Sequence, residues 1–370
     1  MVPFLDLEAA YRELQPEIDA AVARVLRSGR YILGEEVSAF EHAFAAYVGA
    51  DHCVGVGNGF DALALSLRAI GVGSGDEVIV PSHTYIATWL AVSDVGATPV
   101  PVEPDMVTYT IEPSAIQAAV TERTRAIIPV HLYGHPADMD AVLDVAHANA
   151  LWVVEDAAQA HGARYKGRRI GAHGHLVAWS FYPGKNLGAL GDAGAVTTDD
   201  FDLARQLRVL GNYGSEHKYV HEVQGRNSRL DPLQAAVLGV KLRYLDDWNR
   251  RRAEIAKVYD QMLSDTGLFL PHVREWADHA WHLYVVRSEL RNALVPNLAD
   301  NGIQSVIHYP NSVIDQPAYA DYPPSSVSHL GDHARARQLA ATVLSLPIDP
   351  QLKDATHAAS LIRTTVLQGT

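Results

Sequence analysis

Two runs within residues 151–188 decide the fold. The first is Leu151-Trp152-Val153-Val154-Glu155-Asp156, followed by Ala157-Ala158-Gln159-Ala160-His161-Gly162. The second is Leu176-Val177-Ala178-Trp179-Ser180-Phe181, followed by Tyr182-Pro183-Gly184-Lys185-Asn186-Leu187-Gly188. Short apolar runs without alternation mark strands covered on both faces. One run closes on two acids. The other closes on a hydroxyl at Ser180 and a Pro-Gly turn carrying Lys185. Ligands of parallel sheets collect at the carboxyl ends of strands, so Asp156, Ser180 and Lys185 are candidates for one site. The small residues 157–162 suit a backbone packed against a flat ligand. A solvated strand end and a surface turn lysine are the alternatives; Gly188 and Gly191 beside Lys185 favour the ligand reading.

Further strands are expected at Cys53–Val56, Glu77–Val80, Pro99–Val102, Ala126–Val130 and Ala193–Thr198. Helices are expected at Asp61–Ile70, Thr84–Val95 and Ala137–Asn149. Strands alternating with helices predict an α/β domain whose mainly parallel sheet is covered on both faces. Ahead of it, Leu14, Ile18, Ala21, Val22, Val25 and Leu26 repeat at helical spacing, with a break expected at Pro16. A second helix begins near Glu35, with Val37, Phe40, Phe44, Ala45 and Val48 on one face. Residues 211–229 are polar and rich in Gly, Asn, Tyr, His and Ser, a long loop of the kind that often carries function. A long helical stretch follows from Asp231 to about Met262. The remainder, with a strand near His282–Val286 and a helix near Ala334–Val343, predicts a smaller α+β lobe. The expected division is 1–250 for the large domain and 251–370 for the small one.

The chain has 370 residues, enough for two cores. Its 30 Lys+Arg against 43 Asp+Glu give a net charge of −13, which counts against a nucleic-acid or anionic-membrane partner. An anionic ligand therefore needs a local site. The lone Cys53 excludes an internal disulfide and a cysteine zinc cluster, and reads as a buried thiol. The start, Met1-Val2-Pro3-Phe4-Leu5-Asp6-Leu7-Glu8, is not a signal peptide, and the most apolar window, Val78–Val102, is interrupted by His83, Asp94 and prolines. A soluble, cytoplasmic protein is expected.

Two glycine-rich segments invite comparison. Gly71-Val72-Gly73-Ser74-Gly75 precedes a strand and reads as a turn. Gly55-Val56-Gly57-Asn58-Gly59-Phe60 follows a strand and opens a helix, whose free amides and partial positive charge suit an anion. A plain strand-to-helix turn remains open there. A dinucleotide site fits poorly, because Phe60 stands where glycine is wanted and Asp76 and Glu77 precede the next strand instead of ending it. His131 with His135, and His173 with His175, have spacings seen in metal sites. Gly134 and Pro136 break the helix the first pair needs, and no carboxylate completes the second, so no metal is expected.

These segments together resemble the pyridoxal-phosphate (PLP) sugar aminotransferases of the DegT/DnrJ/StrS family, fold-type I. The likeness covers nearly the whole chain, including Ser28-Gly29-Arg30-Tyr31-Ile32-Leu33-Gly34, residues 57–63, 155–162 and 180–186, and Asn227-Ser228-Arg229-Leu230-Asp231. It implies an aspartate-aminotransferase-like fold. It implies that Lys185 condenses with the cofactor aldehyde and then shuttles a proton, and that Asp156 faces the pyridine nitrogen and keeps it protonated. Gln159 would bond the ring hydroxyl. Ser180 and the amides of Gly59 and Phe60 would hold the phosphate, with Asn227 added from the neighbouring subunit of a homodimer. Tyr85 would stack on the ring; a core aromatic is the alternative. Phe60 replaces a hydroxyl residue of many relatives, which leaves that contact to the backbone. Lys185 argues against the dehydratase subgroup with histidine at this position.

Within the family, residues 81–90, 129–140 and 305–310 resemble the 3-aminotransferases of dTDP-3-keto-deoxyhexoses from desosamine- and mycaminose-type antibiotic pathways. The implied reaction is ping-pong, with L-glutamate as donor. Lys218, Tyr219 and Arg229 on the polar loop are candidates for the nucleotide diphosphate. Arg229 alternatively holds the donor's carboxylate, and Lys218 alternatively lies on a solvated loop. His308 and Tyr309 are candidates to line the sugar site. Amination at carbon 4, a nucleotide-dependent oxidoreductase and a silent sugar-nucleotide binder are the competing readings.

Overall fold

The computed structural model describes residues 1–322 and 331–369. Its centre is a seven-stranded sheet. The strands run, in order across it, His52–Val56, Gly194–Thr198, Leu176–Ser180, Trp152–Asp156, Thr124–Ile127, Glu77–Pro81 and Thr98–Val102. All neighbours are parallel except Gly194–Thr198, which runs antiparallel to both its partners. The mainly parallel sheet is as expected. Strand periodicity splits its apolar residues between two cores. Ile79, Ile127, Val153, Val177 and Trp179 pack on one face with Phe40 and Phe44. Val78, Val80, Ala126, Val154 and Leu176 pack on the other with Leu63, Leu65 and Trp89. This is why the strands read as continuous apolar runs.

The first helix runs unbroken from Leu7 to Ser28, with Pro16 inside it. The expected break does not occur. Pro16 and Arg12 both lie on the exposed face, so water can reach the Arg12 carbonyl that the ring deprives of its donor. Leu14, Ile18, Ala21 and Val25 pack against Ala236, Val237 and Val240. The stretch 231–262 is two helices, Pro232–Leu242 and Leu245–Leu263. No Gly or Pro marks the bend. Arg243 and Tyr244 are held there by Glu17 of the first helix, and Asp246 and Asp247 start the second helix favourably. The helix expected over 84–95 is shorter, Ala87–Asp94, because His83 and Thr84 are buried in side-chain hydrogen bonds ahead of it.

The C-terminal part pairs Tyr284–Arg287 with Val343–Leu346, antiparallel, against the helices Leu245–Leu263, Arg291–Asp300 and Ala355–Gly369. The N-terminus joins it: the Val2 amide donates to Gly302 O at 2.7 Å, and Gln304 N donates to Val2 O at 3.0 Å. That anchorage carries Phe4 and Leu5 to the central cavity, which the sequence reading did not foresee. No helix among the described residues is long and apolar enough to cross a membrane.

Candidate active site

The carboxyl ends of Trp152–Asp156 and Leu176–Ser180 lie side by side, with Asp156 paired to Ala178. Asp156 is buried. Thr88 Oγ1 donates to its Oδ2 at 2.9 Å and the Ala158 amide to its Oδ1 at 3.2 Å. Burial dominates and holds its carboxyl above the usual range, with Thr88, the Ala158 amide and then Lys185 pulling it back. Lys185 sits on the turn after the next strand, its amide bonded to Tyr182 O at 2.8 Å. Its side chain is partly accessible through the cavity yet crowded by protein. Desolvation lowers its pKa to about 8, against the attraction of Asp156. Each group therefore feels the other's charge.

The turn is held from behind. Asn186 Nδ2 donates to Asn249 Oδ1 at 2.8 Å and to Ala280 O at 2.7 Å, and Lys241 Nζ donates to Gly188 O at 2.7 Å. Gln159 is oriented without ambiguity: its Oε1 accepts from the Tyr133 amide at 2.6 Å, so its Nε2 faces Tyr309 Oη at 3.0 Å. One Nε2 hydrogen remains for another acceptor. Tyr85 is 55 % exposed and its ring centroid is 5.3 Å from that of Tyr309. It is not a core aromatic.

The helix Gly59–Ala69 starts over the end of Leu176–Ser180. Asn58 caps it, with Oδ1 accepting from Asp61 N at 2.8 Å. The Gly59 and Phe60 amides donate to no group among the described residues. A Cβ on Gly59 would lie 2.6 Å from Ser180 Cβ and 3.1 Å from Ser180 Oγ. A side chain at position 59 would press on Ser180, so glycine keeps the helix start, with its two free amides, close to that hydroxyl, a setting that suits a phosphate. Gly59→Ala is expected to weaken cofactor retention about 10-fold or more, measured as the dissociation constant of PLP by equilibrium dialysis.

Gln159, Lys185, His308 and Tyr309 line one cavity of about 320 Å³, together with Phe4 and Arg252. A larger hollow of about 630 Å³ beside Arg274 and Trp276 contains none of the predicted site residues. Lys218, Tyr219 and Arg229 do not line the Lys185 cavity in the single chain. Tyr219 is 83 % exposed, Lys218 lies over its ring at 5.0 Å, and Arg229 donates to Asn212 Oδ1 at 3.1 Å. Asn227 is exposed, in a β-bridge with Asn212. His131 is engaged by Glu155 at 2.8 Å and accepts from the Ala137 amide at 3.0 Å.

Sequence reasoning missed Thr88, Tyr133 and Arg252. Thr88 was visible inside the 81–90 motif, but nothing local showed that its hydroxyl meets Asp156. Tyr133 is reached only through the fold: its amide fixes Gln159, and its hydroxyl meets His83 Nε2 at 2.8 Å and the His308 carbonyl.

A buried carboxylate awaiting a cationic partner, an amine poised to lose its proton and an amide cradle for phosphate match the three ends of PLP. Fold and site together define a fold-type I PLP aminotransferase. The chain belongs to the DegT/DnrJ/EryC1/StrS aminotransferase family, whose model matches residues 12–361. It is 59 % identical to the erythromycin biosynthesis sensory transduction protein EryC1 of Saccharopolyspora erythraea, covering 95 % of each chain. It is 57 % identical to the dTDP-3-amino-3,4,6-trideoxy-alpha-D-glucose transaminase of Streptomyces venezuelae, covering 95 % of this chain and 92 % of that one. The crystal structure of S. venezuelae DesV in complex with a ketimine intermediate superposes with a TM-score of 0.95 at 55 % identity, covering 99 % and 98 % of the two chains.

Proposed function

We propose that this chain transfers the amino group of L-glutamate to carbon 3 of a dTDP-linked 3-keto-6-deoxyhexose in two half-reactions. The placement of Asp156 and Lys185 at the carboxyl ends of neighbouring strands, with Ser180 and the start of the helix Gly59–Ala69 beside them, is the observation that carries it. The substrate follows from the transaminase of S. venezuelae named above. When bound, PLP supplies an aldehyde that takes up amines and a ring that accepts the electron pair left on the reacting carbon. Asp156 would hold the proton on the ring nitrogen. Gln159 Nε2, with one hydrogen free, would donate to the ring hydroxyl. The Gly59 and Phe60 amides and Ser180 Oγ would hold the phosphate, and Tyr85 would stack on the ring. Lys185 Nζ, as a free amine, would take the proton from the donor's α-carbon and hold it for return in the same half-reaction. His308 and Tyr309 line the sugar's side of the cavity.

A homodimer supports the remaining roles. A second copy would bring Asn227 to the phosphate and Lys218, Tyr219 and Arg229 to the diphosphate. The exposed Tyr213, Tyr219 and Val220 on the same loop suit such a contact. A separate apolar cluster that includes Tyr259, Tyr284, Leu298 and Ile362 supports a small C-terminal lobe, although the helix Leu245–Leu263 runs across the expected boundary at residue 250. Sugar nucleotides and glutamate are cytoplasmic metabolites, which favours that location.

The amine of Lys185 reacts only when neutral. With a pKa of about 8, the rate of PLP capture by the cofactor-free protein is expected to rise about tenfold per pH unit below pH 8 and to level off above it. Rapid-mixing absorbance measures this. The function itself is tested by NMR of the product from glutamate and a dTDP-3-keto-6-deoxyhexose. An amine at carbon 3 is expected; an amine at carbon 4, or hydride exchange with a nicotinamide, overturns the proposal.

A further inference from the structure

Arg252 lies on the helix Leu245–Leu263 and reaches the wall of the Lys185 cavity. It is 5 % exposed. Its Nη1 donates to the Ile348 carbonyl at 2.6 Å, while Nε has no partner. No carboxylate lies within ion-pairing distance of its guanidinium among the described residues. The neighbouring acid is Asp349, whose charge acts on Arg252 without a hydrogen bond between them: its Oδ2 accepts from the Asp6 amide at 2.5 Å and its Oδ1 from the Gln351 amide at 2.9 Å. Asp349 thus offsets part of the charge from a distance, and a buried guanidinium with one backbone hydrogen bond and no hydrogen-bonded carboxylate still has donors to satisfy.

The rest of the wall narrows the choice of anion. Phe4, Val306 and Ile348 are apolar. His308 is held at a pKa of about 4 by burial, and His282 is pushed down the same way, so both are neutral at pH 7. Lys185 and Arg252 are then the cations on this cavity. The phosphate cradle at Gly59 and Ser180 is not among the groups that line it with Arg252, so the anion here is a different one. An amino donor must present its nitrogen to the Lys185 region while a carboxylate sits some distance away. A planar guanidinium is the natural partner for that group.

We propose that Arg252 is a binding residue for a carboxylate of the amino-acid donor. It takes the place considered for Arg229, which in this chain is bonded to Asn212 and does not line the cavity. The assignment rests on the reading of this cavity as the donor site. It does not depend on the identity of the sugar, because the donor half-reaction runs without it.

The test uses holoenzyme carrying Arg252→Gln or Arg252→Lys. Binding of glutarate, a dicarboxylate with no amine to react, is measured by calorimetry, and the half-reaction with L-glutamate by the loss of the visible band. Arg252→Gln is expected to weaken glutarate and to raise the KM for glutamate by about 10- to 100-fold, the span of one charge-assisted hydrogen bond. Arg252→Lys should recover part of both. The sugar half-reaction, started from the aminated cofactor form, should keep its KM within about threefold. Repeating the donor half with L-alanine assigns the group: a loss shared with glutamate marks the α-carboxylate, and a loss confined to glutamate marks the side-chain one. Unchanged glutarate binding in Arg252→Gln overturns the proposal. So does an equal loss in both half-reactions with no rescue by lysine, the signature of a purely structural arginine. Failure of every 3-keto sugar with an intact glutamate half-reaction would instead strike the substrate assignment.

Discussion

Replacing Lys185 by alanine is expected to lower turnover by about 10⁴-fold or more and to abolish the visible band of the lysine-bound cofactor. Two roles are lost together, covalent capture and proton transfer at the reacting carbon, and neither has a substitute in the cavity. His308 and His282 are present but crowded out of their protonated forms by burial and by Lys185 itself. The same variant should be more heat-stable than wild type when free of cofactor. Burial lowers the Lys185 pKa from 10.5 to about 8, so the folded state binds fewer protons than the unfolded one between these values. Stability therefore rises with pH across that window, and the cost of the buried ammonium is present in full below about pH 8. Thermal midpoints of the cofactor-free proteins at pH 7 and pH 10 check this: the advantage of the alanine variant should shrink at the higher pH. Retained turnover in Lys185→Ala would remove the basis of the enzymatic reading.

Asp156→Asn is the second large effect. Asparagine preserves the shape but not the charge that keeps the ring nitrogen protonated, and kcat is expected to fall about 10²- to 10³-fold. The visible band should persist, because Lys185 is intact. That separates the two variants: one loses attachment, the other loses the electron sink. Stability moves in the opposite direction to activity here too. Burial raises the Asp156 pKa above its ordinary 3.8. The folded state then binds more protons than the unfolded one, and the cost of the buried charge is present above the raised value and absent below 3.8. Cofactor-free Asp156→Asn is expected to be at least as stable as wild type at pH 7.5, with the difference closing as pH falls toward 3.8. Thr88 accommodates the change, since its hydroxyl is also 3.0 Å from Thr84 Oγ1 and can turn to it. Calorimetric unfolding across pH gives the answer. A strongly destabilised apo variant would mean that the carboxylate is a structural keystone first.

Much of the candidate site was legible because its residues sit at the ends of short apolar runs. The Val153-Val154 and Val177-Ala178 pairs face opposite cores, so both strands had to be buried, and buried parallel strands present ligands at their carboxyl ends. Asp156, Ser180 and Lys185 follow from that reasoning, and the 57–63 segment follows from its position between strand and helix. Features set by distant contacts were not legible. The bend at Arg243 and Tyr244 comes from Glu17, more than 200 residues away, and leaves no local mark. The unbroken helix through Pro16 depends on which face of that helix the protein covers. Thr88 and Tyr133 acquire their partners through the crossover order of the sheet.

What the sequence alone determined is the alternation of buried strands with helices, the two carboxyl-terminal strand ends, and the lysine and acid placed on them. These are local properties, set by periodicity and by the few residue types able to do the chemistry. Only the tertiary structure decided which groups share the cavity. It brought the N-terminal Phe4, the helix residue Arg252 and the small-lobe Tyr309 to Lys185, and it left Lys218, Tyr219 and Arg229 off the walls of that cavity in the single chain. The reason is physical: a cavity is bounded by side chains from elements far apart along the chain, and their meeting is fixed by packing of whole helices and sheets, which no local pattern encodes.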